Sequence, residues 1–296
     1  MVSLIPAFIG ISDIVIGLSL GSRLFLIAVG LSLIFGVLGV LNFAHGALYM
    51  LGAYFTLVLI NHVVDHFWLA VVLGAIGVGV IGVLIEVVTI RPLYERLESE
   101  LDQLIVTFGF VLVIHELVRA IWGSEPHSVD APASLAFSVS IGGSTFSAYR
   151  LSVIVAAFFV MATLWLFITK TYFGALVRGT SSDREMAAML GVDVPRLYTG
   201  VFFLGSALAG LGGALSAPLQ STSPALGEQV IIDAFIIVVI GGLGSMIGAF
   251  VGAMLVGLMQ AVGPSLMAAG HVAIPFIAMV LVLLIKPEGL FGGIGE

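Results

Sequence analysis

The sequence predicts an all-α protein, a polytopic membrane helical bundle of about eight to nine membrane segments that includes a half-helix or re-entrant segment. Of its 296 residues, 60% are hydrophobic and 9% are charged, which is far from the composition of soluble domains. Apolar runs of about 20 residues, the length that a helix needs to cross a bilayer, recur along the whole chain. We therefore expect residues 1–296 to form a single transmembrane domain.

The apolar runs place the membrane segments along the chain. They are expected near residues 14–40, 44–60, 67–90, 103–122, 149–169, 197–217, 230–241, 245–262 and 271–286. The run at 230–241 is too short to cross a bilayer alone, and a glycine-rich stretch separates it from its successor. We expect a half-helix or re-entrant segment there, broken at Gly241, Gly242, Gly244 and Ser245.

Basic residues set the expected orientation, because cytoplasmic loops retain Lys and Arg. Seven of the ten fall in segments proposed to face inward, and Arg150 falls in a segment proposed to face outward. This distribution puts the amino terminus outside and the carboxyl terminus in the cytoplasm. The seven are Arg91, Arg96, Lys170, Arg178, Arg184, Arg196 and Lys286.

A long polar interruption is expected to form a cytoplasmic loop at residues 170–196. Ser182 and Glu185 have the spacing of a capping box, so a helix is expected to begin at Ser182. Gly191, followed by Pro195, is a stop signal. The loop is therefore expected to hold a short helix of about two turns.

This short helix has one apolar side. Met186, Met189 and Leu190 follow one another at intervals that place them on a single helical face. The charged residues beside that face are Asp183, Arg184 and Glu185. A projecting helix with an apolar stripe suits docking into a groove of another protein.

Asn42 and His45 interrupt an otherwise apolar part of the chain. Their spacing places them on one helix face, while Gly39, Gly46 and Gly52 permit a broken or closely packed backbone. Polar groups inside a membrane need partners. The two residues either make an interhelical hydrogen bond that holds the bundle or line a translocation path, and intramembrane polar residues serve both purposes.

Other intramembrane charges have structural explanations. Glu116 and Arg119 are one helical turn apart near an outer end and can pair. Asp233 is expected to begin the half-helix, where a carboxylate favours the positive end of the helix dipole, although a role facing a cavity stays open. Arg23 is the deepest cation and has no partner nearby in the sequence.

The sequence excludes several chemistries. Because the chain has no cysteine, it has no disulfides, thiolate metal sites or cysteine nucleophiles. Thr169 precedes Lys170 and Ile285 precedes Lys286, so the Gly-Lys of a P-loop does not occur. No cofactor is expected in this chain. If the protein is a transporter driven by ATP, its partner subunits must hydrolyse the ATP. The charge of −7, spread over the loops, implies no nucleic-acid surface.

A histidine pair has the spacing of a metalloprotease motif. His62 and His66 enclose Asp65 in a pattern similar to H-x-x-E-H. Asp replaces Glu, the segment lies in a short outer loop, and no separate acidic ligand stands nearby in the sequence. Solvated loop polarity is the preferred interpretation, so neither a metal site nor a catalytic residue is expected.

Three segments resemble the inner-membrane permeases of branched-chain amino acid ABC importers, over nearly the whole chain. Residues 41–46 (Leu-Asn-Phe-Ala-His-Gly) with 49–54 (Tyr-Met-Leu-Gly-Ala-Tyr) are similar to an early signature of that family. Glu185 with Gly191 resembles the cytoplasmic EAA-type loop of importer permeases, although Met186 displaces the second Ala of the general pattern. Residues 241–245, with the Gly-Ala pairs that follow, resemble a third segment, which sugar importer permeases share.

The resemblance implies a permease subunit of an ATP-driven importer for branched-chain or similar small amino acids, in the inner membrane of a bacterium or archaeon. The implied partners are a second, homologous permease subunit, two cytoplasmic ATPase subunits that bind ATP and Mg²⁺, and a periplasmic solute-binding protein. The short helix becomes the coupling helix, with Ser182, Asp183, Arg184, Glu185, Met186, Met189, Leu190 and Gly191 as coupling residues. The candidates to line the translocation path are Asn42, Phe43, His45 and Gly46.

Two alternatives stay open. A secondary transporter or channel for small polar solutes also uses broken helices and intramembrane carboxylates. Such a protein would transport alone, without ATPase subunits. A membrane-embedded metalloprotease would require zinc bound at His62 and His66.

Overall fold

The computed structural model describes residues 10–93, 100–266 and 270–292, so the expected inner position of Arg96 lies outside the described residues. The helices are α1 (Ile11–Leu38), α2 (Ala44–His62), α3 (Phe67–Ile85), α4 (Arg91–Leu93), α5 (Glu100–Trp122), α6 (Ala148–Lys170), α7 (Tyr172–Ser182), α8 (Arg184–Met189), α9 (Val194–Ser216), α10 (Leu226–Gly241), α11 (Met246–Leu266) and α12 (Gly270–Ile285). Within these ranges, seven helices are long and apolar enough to cross a membrane. The 16-residue helices α10 and α12 add two shorter segments. This confirms the predicted polytopic helical bundle, while its orientation stays a prediction.

The middle of the bundle is built around α1 and α9. Helix α1 packs along α11 and α9, and α9 also packs against α2 and α3. Glycines allow these helices to approach closely: a Cβ at Gly52 would lie 2.1 Å from the carbonyl oxygen of Gly210, and one at Gly30 would lie 2.4 Å from that of Gly205. In lipid, such close van der Waals packing takes the place of a hydrophobic driving force between helices.

Helix α3 continues as a π-helical turn, Glu86–Ile90, and then as the single turn α4. Glu86 is fully buried, and its Oε2 accepts a hydrogen bond from Thr199 Oγ1 of α9 at 2.8 Å. Buried carboxyl groups are retained in proteins only when such partners are present. The end of α3 is therefore held against the first part of α9.

The connection between α5 and α6 contains a β-hairpin that the hydropathy pattern does not predict. Strands β1 (Ser138–Ile141) and β2 (Ser144–Ser147) pair in antiparallel fashion. The two residues between them, Gly142 and Gly143, have φ values of 59° and 85°. A two-residue hairpin turn of type I′ requires positive φ at both positions, which glycine adopts without steric cost.

Helix α2 begins in the middle of the bundle. Ser181 Oγ donates a hydrogen bond to the carbonyl oxygen of Gly36, so α1 ends at the side of the bundle that carries α7 and α8. His45, in the first turn of α2, contacts the carbonyl oxygen of Ile27 at 3.2 Å, which is about 16 Å back along α1 from its last residue. Residues 39–43 therefore run back into the bundle beside α1.

Helix α10 also begins in the middle of the bundle. Its Gly227 packs against Gly46 of α2. A Cβ added to Gly46 would lie 2.4 Å from the carbonyl oxygen of Gly227. The helix begins at Leu226, earlier than the predicted start at residue 230. Asp233 consequently lies two turns inside α10, and its predicted place at the first turn is wrong. Helix-dipole effects fall off within the first turn, so the dipole does not explain this carboxylate.

The chain between α10 and α11 is broken as the glycine-rich sequence suggested. Gly242 and Gly244 have φ values of 103° and 81°, conformations that other L-residues rarely adopt. Ser245 Oγ caps α11 by accepting a backbone N–H at 3.0 Å. The backbone N–H groups of Leu290 and Phe291 donate to the last carbonyls of α10 at 2.8 and 2.9 Å. The last carbonyl groups of α10 therefore accept hydrogen bonds from the carboxyl-terminal segment rather than from a continuing helix.

Candidate functional site

The segment expected to be the coupling loop, residues 170–196, contains two helices between α6 and α9. The first, α7, has 11 residues and was not predicted. Thr171 caps it, because Thr171 Oγ1 accepts a hydrogen bond from the Gly174 N–H at 3.1 Å. A Cβ at Gly174 would lie 2.0 Å from the carbonyl oxygen of Ile168, so glycine allows α6 to turn directly into α7.

The second helix, α8, begins later than predicted and is shorter, with six residues. Ser182 is the last residue of α7, and Asp183 is the N-cap: its Oδ1 accepts a hydrogen bond from Met186 N at 2.9 Å. The expected capping box between Ser182 and Glu185 is wrong. Asp183 has the extended backbone that an N-cap requires, whereas Ser182 is still helical. Gly191, with a φ of 88°, follows the end of α8 as a stop.

The apolar stripe of α8 lies on the exposed surface of the protein. Its members, with their exposed fractions, are Met186 at 49%, Met189 at 74% and Leu190 at 78%. The other side of α8 is fixed to the bundle, since Ala187 is buried and the guanidinium of Arg184 lies 5.4 Å from the ring centroid of Tyr198 in α9. An exposed apolar patch marks a protein-interaction or membrane-interaction site, and the polar segment 170–196 around α8 favours a protein partner.

A groove of about 330 Å³ adjoins this stripe, between α7 and the connection from α8 to α9. Leu190 belongs both to the stripe and to the groove, and Leu176 and Val192 form part of the apolar wall. Arg196 lies at the groove and pairs with Asp193 at 3.1 Å. The groove therefore extends the apolar surface of α8 and has a polar rim.

The start of α2 holds two buried polar side chains. Asn42 and His45 are both fully buried. Their expected common helix face is wrong, because Asn42 precedes α2 and its Oδ1 accepts a hydrogen bond from the Ala44 N–H at 3.0 Å. His45 Nε2 makes the interhelical hydrogen bond with the carbonyl oxygen of Ile27. Neither residue lines the cavity described in the next paragraph, so a path role for them stays a prediction.

A cavity of about 340 Å³ lies between α2, α5 and α10. Phe43 is the predicted path residue that lines it, and Gly46 holds α2 against α10 beside it. Two polar side chains, His115 and Glu228, also line the cavity. Its apolar wall includes Ala47, Met50, Phe108, Leu112, Ile231 and Ile232. Glu228 was not identified from the sequence because the predicted start of its helix was too late.

Arg23 has a partner that lies far away in the sequence. Its Nη1 donates a hydrogen bond at 3.0 Å to Oε1 of Gln220, which lies in the connection between α9 and α10. The expected pair within α5 is present, with 3.3 Å between Arg119 Nη1 and Glu116 Oε1. Both of these side chains are exposed on the surface of α5.

The histidine pair stands apart from these features. His62 ends α2 and His66 precedes α3, and both are exposed. Among the residues that the structure describes, no group of three His, Cys, Asp or Glu side chains is arranged to hold a metal ion. The metalloprotease alternative therefore has no supporting metal site in this part of the chain.

Comparison with known proteins identifies one family over almost the whole chain. The model of the family "Branched-chain amino acid transport system / permease component" matches residues 14–284. The permease LivH of Salmonella typhimurium, from a high-affinity branched-chain amino acid transport system, is 31% identical over 291 residues, which cover 93% of each chain. No solved structure matches significantly.

Relatives from other organisms show the same extent of similarity. BraD of Pseudomonas aeruginosa, also a high-affinity branched-chain amino acid transport system permease, is 30% identical over 295 residues, with 95% of each chain covered. The probable LivH permease of the archaeon Methanocaldococcus jannaschii is 28% identical over 308 residues, covering 99% of this chain and 96% of the relative. The chain therefore belongs to the family of permease components of branched-chain amino acid transport systems.

Proposed function

We propose that this chain is the permease subunit of an ATP-driven importer that carries branched-chain or similar small amino acids across the inner membrane of a bacterium or archaeon. The observation that carries the proposal is the exposed apolar stripe on α8 in a member of this permease family. The names of the relatives support the substrate class. ATP and Mg²⁺ would bind to partner subunits, since the sequence lacks the Gly-Lys of a P-loop.

The proposed assembly contains a second, homologous permease, two cytoplasmic ATPase subunits and a periplasmic solute-binding protein. In this assembly, α8 is the coupling helix, and the stripe of Met186, Met189 and Leu190 fills a groove on an ATPase subunit. Asp183 and Gly191 define the two ends of the helix and so fix the direction in which the stripe projects.

Two contacts would transmit movement of α8 to the membrane helices. Arg184 lies over Tyr198 of α9, and α7, which leads directly into α8, is bound to α1 through Ser181 and the carbonyl oxygen of Gly36. Gly36 in turn packs against Gly244, at the turn between α10 and α11. Closure of the ATPase subunits would therefore displace α9 and α1 as rigid bodies, which is the kind of motion that alternating access requires.

Reconstitution tests the proposed function. Uptake of leucine into proteoliposomes is expected only when this chain is assembled with its partner permease, the ATPase subunits, the solute-binding protein and ATP. The control omits the ATPase subunits and imposes a proton or sodium gradient. Uptake by this chain alone under that gradient would instead identify a secondary transporter, and gradient-independent downhill flux would identify a channel.

The segment 42–46 is proposed to shape the substrate path, with Phe43 at the cavity and His45 as its support. Replacing His45 by Leu removes the hydrogen bond to the Ile27 carbonyl oxygen that fixes the start of α2. We expect uptake by the assembled complex to slow roughly tenfold, a change of about 1.4 kcal/mol, similar to the loss of one buried hydrogen bond. Wild-type uptake at unchanged complex yield would contradict a path role for His45.

A further inference from the structure

One side of the membrane helix α10 carries polar residues that the bundle leaves exposed or half-buried. Glu228 and Gln229 are exposed, and Asp233 is half-buried. Glu228 is one turn from the exposed Ile232, and Gln229 is one turn from Asp233, so these residues lie along the same side of the helix. We call this surface, formed by Glu228, Gln229, Ile232 and Asp233, the polar side of α10.

The polar side of α10 begins deep in the bundle. Gly227, the neighbour of Glu228, packs against Gly46, and the adjacent His45 reaches the carbonyl oxygen of Ile27 midway along α1. From there α10 runs further toward the end of the bundle that carries α7 and α8. Acidic residues at such depth are costly in lipid and almost always face a bundle interior or a water-filled cavity. The polar side of α10 therefore does not face lipid.

The cavity between α2, α5 and α10 adjoins this surface. Glu228 and Ile232 belong both to the polar side of α10 and to the cavity lining. The volume of about 340 Å³ lies in the range of small-molecule sites, which combine apolar walls with a few polar groups. A small aliphatic amino acid matches both parts, because its side chain suits the walls and its ammonium group suits the Glu228 carboxylate.

We propose that the polar side of α10 lines the aqueous substrate path and that the cavity is a subsite for a small aliphatic amino acid. In this subsite the Glu228 carboxylate accepts hydrogen bonds from the substrate ammonium group, and Phe43, Met50 and Leu112 contact its side chain. The class of substrate bound in the cavity rests on the proposed function. The proposal that water reaches the polar side of α10 does not depend on that function.

Cysteine labelling, read on the band of this subunit, tests the path, because the natural chain contains no cysteine and so gives no background of its own. The variants Glu228→Cys and Gln229→Cys are prepared in membranes that contain the assembled complex, and a membrane-impermeant thiol reagent is added. The matched control is Phe159→Cys, whose parent side chain is 71% exposed in the middle of α6. Thiols react as thiolates, which form in water and not in lipid.

We expect both α10 variants to label at least about tenfold faster than Phe159→Cys. Excess leucine is expected to slow labelling of a third variant, Ile232→Cys, whose position lines the cavity while the Glu228 carboxylate is kept. Labelling no faster than the control would show that α10 faces lipid or a dry contact and would overturn the path. Fast labelling that leucine leaves unchanged would overturn the subsite.

Uptake kinetics provide a second readout of Glu228. In the reconstituted complex, Glu228→Gln is expected to raise the KM for leucine about tenfold, since an amide replaces the charged acceptor of the ammonium group. Glu125→Gln, in the exposed connection after α5, is the matched control and is expected to leave KM unchanged. A wild-type KM for Glu228→Gln contradicts the subsite. Absence of ATP-driven uptake by the wild-type complex contradicts the proposed function instead, and labelling still reports on the path.

Discussion

Replacing Met189 by Asp is expected to release the ATPase subunits while the membrane bundle stays folded. Met189 is 74% exposed in this chain, so the substitution disturbs no internal packing. In the proposed complex it would place an unpaired carboxylate in an apolar interface, at a cost of about 3 kcal/mol or more. A loss of that size weakens binding roughly 100-fold. Co-purification of the ATPase subunits with the variant, together with ATP-driven uptake, measures the effect.

A matched control makes the same chemical change where no docking is proposed. Val63, at the end of α2, is 67% exposed, and α2 runs away from the end of the bundle that carries α8. Val63→Asp should therefore retain the ATPase subunits and the uptake activity. If Met189→Asp bound the ATPase as tightly as the wild type, α8 would not be the docking element.

Hydropathy predicts the membrane segments well because the signal for each one is local. A helix must carry enough consecutive apolar residues to cross the lipid, whatever it packs against. The predicted segment 67–90 accordingly corresponds to α3 with its π-helical turn, which ends at Ile90, and the predicted end at residue 122 is the last residue of α5. The local run of apolar residues is therefore sufficient to place a membrane helix in the sequence.

Helix α7 shows where local signals are insufficient. Its sequence contains Gly174, Gly179 and a run of Ser and Thr residues, which have low intrinsic helix propensity. It is helical because Val177 and Thr180, one turn apart, are buried against the rest of the bundle. Tertiary packing supplies most of the stability of short helices, and the sequence does not state which surface will be available for packing.

The candidate site depends on contacts between distant parts of the chain. Arg23 and Gln220 meet across 197 positions, and no spacing rule relates them. The polar segment around His45 is recognisable in the sequence. Its depth within the helical bundle, however, is set by how far residues 39–43 run back beside α1. Glu228 could have been noticed as an intramembrane acid only with the correct start of α10.

Replacing Gly213 by Ala is expected to prevent normal assembly of the bundle. A Cβ at this position in α9 would lie 1.8 Å from the carbonyl oxygen of Tyr49 and 3.1 Å from the backbone nitrogen of Ala53. Both atoms belong to the backbone of α2, so no side-chain rotation can relieve the clash. Overpacking of a core costs about 1–3 kcal/mol and more where backbone must move. The melting temperature and the yield of folded protein in detergent measure the loss.

The same substitution at an open position separates the clash from any general effect of alanine. Gly109 lies on the exposed surface of α5, and an added Cβ there has no atom within 4 Å outside its chain neighbours and the adjacent backbone of α5. Gly109→Ala should therefore keep the wild-type melting temperature and yield. Because α9 also carries Tyr198, which contacts Arg184 of α8, the proposed coupling role of α8 predicts that Gly213→Ala reduces uptake by more than its lower yield explains. A wild-type melting temperature for Gly213→Ala would mean that α2 and α9 are farther apart than the structure places them.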